Sequence, residues 1–195
     1  MKKILLILMV SLFTMSAACS AAGSKIAVIP YLDTTEATVD KDYIPGFMHK
    51  YYNDSMAKMG LSVIPENEVQ AALDEAGYDV SNQMIADKDI MAAVANRTGA
   101  DYVVAVELND LKDAKHESFF QLKVSVSVKM RYNFYSVAKN KLLAFQVTGA
   151  DENKTIFGGV GTKSPINNAL KKASGKANDK IKIELAANKI SLLTE

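Results

Sequence analysis

The sequence predicts an α/β (α+β) fold: a mixed sheet with element order β-α-β-α-α-β-β-β-α and helices packed on it. Three observations carry that expectation. Tyr102 to Val106 is apolar at every position, as a strand buried on both faces is. Before it, short apolar runs alternate with helical patterns, the arrangement that joins parallel strands. After it come long alternating strands and one last helical stretch, so the second half pairs antiparallel. Tyr102 to Val106 is therefore expected in the middle of the sheet, with the helices covering its dry face.

Lys25 to Tyr31 reads as the first strand, ended by Pro30. Leu32 to Lys41 is polar and reads as a loop. Asp42 to Met59 carries Ile44, Phe47, Met48, Tyr51, Tyr52, Met56 and Met59 close to a helical period, with Pro45 in its first turn and Gly60 as its stop. Leu61 to Ile64 is a short strand. Pro65 opens a helix through Val69, Ala72, Leu73 and Ala76, closed by Gly77. After a connector, Asp87 to Thr98 is a third helix, with Gly99 as its stop. Asn109 to His116 reads as a polar turn. Phe119 to Tyr135 alternates apolar and polar residues almost without error, so one face is dry and one wet. Val137 to Asn140 is the turn into a returning strand, Lys141 to Gly149. Ala150 to Lys163 reads as a Gly-rich loop. Ser164-Pro165 then caps a long helix with Ile166, Leu170, Ala173, Ala177, Ile181 and Leu185 along one stripe. The long strand outreaches its returning partner, which predicts an overhanging edge open to self-association.

The first 22 residues have the form of a signal peptide. Met1-Lys2-Lys3 precedes the apolar run Ile4 to Phe13, and a small-residue run from Ser16 to Gly23 follows. The apolar run is too short for a permanent transmembrane anchor. Two processing routes fit. In one, a lipoprotein-type signal ends at Ala17-Ala18 and Cys19 becomes the lipidated first residue; in the other, ordinary cleavage follows Ala18 or Ala22. Ser16 stands where a lipoprotein signal usually has a large aliphatic residue, but Cys19 is the one cysteine of the chain and falls at the required place. Residues 25–195 then form one domain, with export to the periplasm.

Composition narrows the function. The chain has 195 residues, two histidines and a net charge of +1, which becomes −1 when Lys2 and Lys3 leave with the leader. Nothing in that balance selects nucleic acid as a partner. One cysteine allows no internal disulfide and no Cys/His zinc site. Gly158 to Ser164 invites a phosphate-loop reading, but the two required glycine positions hold Thr162 and Phe157. Asp33, Asp40 and Asp42 lack the spacing of a calcium loop. His49 reads as a surface residue of the first helix and His116 as a turn residue. Tyr51-Tyr52 and Phe134-Tyr135 read as core, or as partner anchors where they surface. No catalytic group, metal ligand or cofactor motif is nominated, so the expectation is a non-enzymatic chain.

Several segments resemble the CsgG-like family of envelope lipoproteins. Lys25 to Tyr31 resembles that family's opening strand with its Pro-aromatic end. Leu61 to Ile64 followed by Glu68 to Leu73 is similar to its second strand and helix. Gly99-Ala100-Asp101-Tyr102-Val103-Val104 looks like its third strand, Val124 to Leu143 like its hairpin, and Asn168 to Leu185 like its Ala- and Lys-rich closing helix. The family includes the curli secretion channel, a lipoprotein activator of penicillin-binding proteins, and domains like the N-terminal domain of TolB. The resemblance implies a TolB N-terminal-like core that binds envelope proteins, tethered to the outer membrane through Cys19. It implies ring-like self-association from the channel. It carries over no catalytic residue. The returning strand, as read, barely reaches the length of the channel's membrane hairpins and alternates poorly, which speaks against a pore. The other class left open is an exported enzyme or periplasmic small-ligand-binding protein.

Overall fold

A computed structural model of the chain describes residues 23–36, 41–82, 84–118, 121–155 and 161–191. The strands are β1 (Lys25–Val28), β2 (Leu32–Asp33), β3 (Ser62–Val63), β4 (Tyr102–Ser118), β5 (Gln121–Ser136) and β6 (Lys141–Thr155). The helices are α1 (Ile44–Lys58), α2 (Glu66–Glu75), α3 (Lys88–Thr98) and α4 (Lys163–Ser191). The strands form a mixed sheet in the order β3-β1-β4-β5-β6, with β2 also against β4. β1 lies parallel to β3 and β4, while β4, β5 and β6 pair antiparallel. Tyr102 to Val106 is indeed central, and every residue in it is buried.

Alternation along the central strands sorts their side chains onto two cores. Ile26, Val104 and Val106 pack with α1 and α4, while Ala27, Val103 and Ala105 pack with α2 and α3. The helices thus cover both faces of the parallel half, which corrects the single covered face expected. The reason lies in Tyr102 to Val106 itself: a strand apolar on both sides needs cover on both sides. α1 buries Ile44, Met48, Tyr52 and Met56, each one turn apart. α3 starts on Asp87, whose carboxylate accepts from the Asp89 and Ile90 amides at 3.0 Å. It ends on Gly99 at φ +66°, a left-handed stop that only glycine adopts freely.

α4 lies on the dry face of β5 and β6, and the six residues of its apolar stripe are all buried. The approach is close at Gly149. A Cβ there would lie 2.7 Å from the Ala173 amide and closer still to the Ala169 carbonyl, so any side chain would push the helix off the sheet.

Three further expectations are corrected. Asn109 to His116 is not a turn but the outer half of β4, which runs to Ser118. A bulge between Leu108 and Asp110 shifts the register there, and from Asp110 to His116 only Leu111 is buried, so the run carries no visible apolar period. His116 sits in that strand opposite Lys123. Ala150 to Thr155 extends β6 rather than starting a loop, and pairs with β5 as far as Leu122. Over the described residues β4, β5 and β6 are therefore of nearly equal length, and β5 shows no overhang of the kind expected there. Cys19 and the leader, Asp40 and Gly158 to Val160 lie outside the described residues.

Candidate functional site

Two features of the molecule present chemistry to a partner. The first is a crevice of about 600 Å³ at the carboxyl ends of β1 and β3, between α1 and the start of α2. Parallel strands leave such a crevice where the chain departs from the sheet in opposite directions. Val28, Pro30, Val63, Pro65 and Val106 make its walls apolar. At its rim, His49 Nε2 lies 3.2 Å from Glu66 Oε2 and 3.1 Å from the Asn53 amide nitrogen. These rim groups are directed at each other rather than at a common point inside.

One lining polar group without a partner among the described residues is Tyr31, whose hydroxyl is buried. Burial, with the Asp33 carboxylate and Tyr132 adding to it, pushes this phenol well above its usual range, so it stays neutral. A buried hydroxyl costs free energy unless something accepts its proton. Behind it is a satisfied cluster. Tyr52 and Tyr132 share a hydrogen bond, and Ser174 Oγ lies 3.2 Å from Tyr52 and 3.4 Å from Tyr132. Burial drives the Tyr132 phenol upward, against the opposing bond from Ser174. This cluster ties α1, β5 and α4 together through hydroxyls.

The second feature is the arm made by the outer halves of β4, β5 and β6. α4 covers one face of it. The register puts Arg131 opposite Glu107, Lys129 between Asp110 and Thr148, Ser127 between Lys112 and Ala150, Ser125 between Ala114 and Glu152, and Lys123 between His116 and Lys154 on the other face. Charged residues ring a floor of Ser125, Ser127, Ala114 and Ala150. Ion pairs hold the long side chains: Arg131 to Glu107 at 3.1 Å, Lys112 to Asp110 at 3.0 Å and Lys123 to Glu152 at 2.5 Å. Lys123 and then Lys154 pull the Glu152 carboxyl down to about 2. Asp110 is likewise held below the usual carboxylate range, chiefly by Lys112. Glu107 is buried, and its other oxygen accepts from the Thr34 hydroxyl at 2.8 Å.

Of the residues weighed in the sequence, Asp33 spends its carboxylate on Lys41 at 3.2 Å and on the amide and hydroxyl of Thr35. Among the described residues, no group of three His, Cys, Asp or Glu is placed to hold a metal. His49 lies on the surface of α1, as read, and also on the crevice rim. Tyr52, Phe134 and Tyr135 are core. Tyr31 and Glu107 were missed. A phenol directly after the strand-ending Pro30, and a carboxylate inside an otherwise apolar run, were the signals available.

No protein-family model matches the chain, and no curated protein resembles it in sequence. Solved structures do resemble it. The hypothetical protein CT253 from Chlamydia trachomatis superposes with a TM-score of 0.52 at 16% identity, over 83% of this chain and 96% of that one. Lipoprotein GNA1162 from Neisseria meningitidis gives 0.49 at 11% identity, over 86% and 98%. LpoB from E. coli gives 0.43 at 11%, over 69% of this chain and 58% of that one. At these identities the likeness is one of fold, and CT253 carries it.

Proposed function

We propose that the chain is a non-enzymatic accessory protein of the bacterial envelope. It is exported to the periplasm, lipidated at Cys19 and held on the outer membrane, and it binds other envelope proteins during assembly, secretion or cell-wall synthesis. The observation that carries the binding role is the open face of the β4–β5–β6 arm. That face is polar, with a shallow open depression over its floor, and is fixed by cross-strand ion pairs; a broad ordered polar surface suits a macromolecule. Its charges favour orientation and specificity of docking over raw affinity. The export half of the reading rests on the leader and on Cys19. The CsgG-like resemblance of the sequence supports the same class.

One observation favours a second reading. The crevice with its unpartnered Tyr31 hydroxyl suits a small apolar molecule bearing one hydrogen-bond acceptor. Crosslinking in cells with intact envelopes, followed by purification, separates the two. Recovery of a discrete envelope protein is the expected result. Recovery of no protein, together with a tightly held metabolite that Tyr31→Phe releases, would instead support the small-ligand reading.

A further inference from the structure

We infer that one end of the domain rests on the membrane surface: the end formed by the Val137–Asn140 turn and the last turns of α4. This rests on the proposed Cys19 anchor and adds the orientation that the anchor imposes. The first described residue, Gly23, is four residues from Cys19. Four extended residues span at most ~14 Å. The folded part nearest the anchor is therefore the start of β1.

Hydrogen bonds show what lies beside it. The Lys25 amide donates to the Asp101 carboxylate at 2.7 Å, and the Asp101 carbonyl accepts from the Val137 amide at 3.0 Å. Lys139 in that same turn reaches Glu184 of α4 at 3.3 Å. α4 then continues to Ser191, beyond the turn. The start of β1, the β5–β6 turn and the end of α4 thus share one end of the molecule.

That end has the chemistry of a membrane contact. Among the described residues three large apolar side chains are exposed: Met84, Val137 at 38% and Ile183 at 71%. Single exposed apolar residues are ordinary on a protein surface. Two of three on the end where the chain enters is a different pattern. Beside them Lys139 pairs with Glu184 and Lys182 with Asp179, and Lys141 follows the turn as a further cation. The tether lets this end reach the lipid surface, and a lysine that comes within about one Debye length, ~8–10 Å, of the headgroups is attracted by anionic lipid. Exposed apolar side chains with lysines beside them suit the headgroup layer. The occupant is a bilayer leaflet containing anionic phospholipid. In this pose the crevice and the tip of the arm, at the far ends of β1 and β4, face away from the membrane.

The chain contains no tryptophan, which makes the test clean. Residues 19–195 are coupled through the Cys19 thiol to maleimide-bearing lipid in vesicles of phosphatidylethanolamine and phosphatidylglycerol, so that attachment does not depend on processing in the cell. Single variants Val137→Trp, Ile183→Trp and Met84→Trp report contact with brominated lipid. The expected result is loss of most tryptophan emission at positions 137 and 183 and none at 84. Full emission at 137 and 183, or quenching at 84 instead, would overturn the orientation. Quenching by dissolved iodide on uncoupled protein checks that both sites are open to solvent; protection of both there would mean that a second copy covers this end and would likewise overturn it. The anchor is tested separately by mass spectrometry of the N-terminus from cells. An unmodified start there removes the anchor and leaves the vesicle result standing on its own.

Discussion

Val104 and Gly149 are the residues where the packing argument is sharpest. Val104 is fully buried in the central strand. Val104→Asp puts an uncompensated carboxylate into the core, at a cost on the order of 3–5 kcal/mol, a large part of a domain's whole stability. Thermal melts followed by circular dichroism check it, and an unchanged midpoint would misplace the strand. Gly149→Ala fails for a different reason: its methyl meets helix backbone, which cannot rotate away. We expect about 2–3 kcal/mol of destabilisation, read from a denaturant midpoint. Glu152 tests the electrostatics of the arm. Its carboxyl is depressed in the folded state, so whatever stability it lends is present above the usual carboxylate range and is lost as pH falls through about 2. Proton-detected titration should find its midpoint near 2, and high salt should raise it, since the ion pairs are exposed.

At the scale of elements, β6 is the last strand of the sheet and needs protection from stray pairing. α4 supplies it. Lys172 donates to the Ala150 carbonyl at 3.2 Å and to Asp151, Lys176 donates to the Thr148 carbonyl at 2.8 Å, and Lys180 stands 4.9 Å over the Phe145 ring. Their four-residue spacing runs one helix face along the strand. Replacing Lys172 and Lys176 with alanine should raise self-association, measured by light scattering; an unchanged mass would show that the lysines guard nothing. The elements that could be read from the sequence are those with a clean period: the Tyr102 to Val106 core, the alternation up to Tyr135, the α4 stripe and the Asp87 and Gly99 ends of α3. The outer halves of β4 and β6 were unreadable because strand order there comes from cross-strand pairing, not from burial. Residues such as Lys112, Ala114 and Lys115 have neither face in a core, and their polarity looks like a turn.

The whole molecule joins two architectures through one strand. The inner half of β4 is held in a helix-covered parallel sheet, and its outer half, past the bulge at Leu108 to Asp110, belongs to the exposed arm. Glu107 sits at the junction, bonded to Thr34 on one side and paired with Arg131 on the other. Glu107→Gln should therefore loosen the arm relative to the core without unfolding either, seen as faster amide exchange confined to residues near Arg131. The site was less legible than the fold. A surface made by register, from residues on three strands, leaves no local motif, and the crevice is lined from segments that meet only after folding.

The proposed role of the arm's open face is to dock an envelope protein. A photo-crosslinking residue at Ser127, in the floor of that face, measures it in living cells. A discrete covalent adduct with an envelope protein is expected, lost when Lys129 and Arg131 are both changed to glutamate. No adduct at Ser127, or one indifferent to that charge reversal, would contradict it.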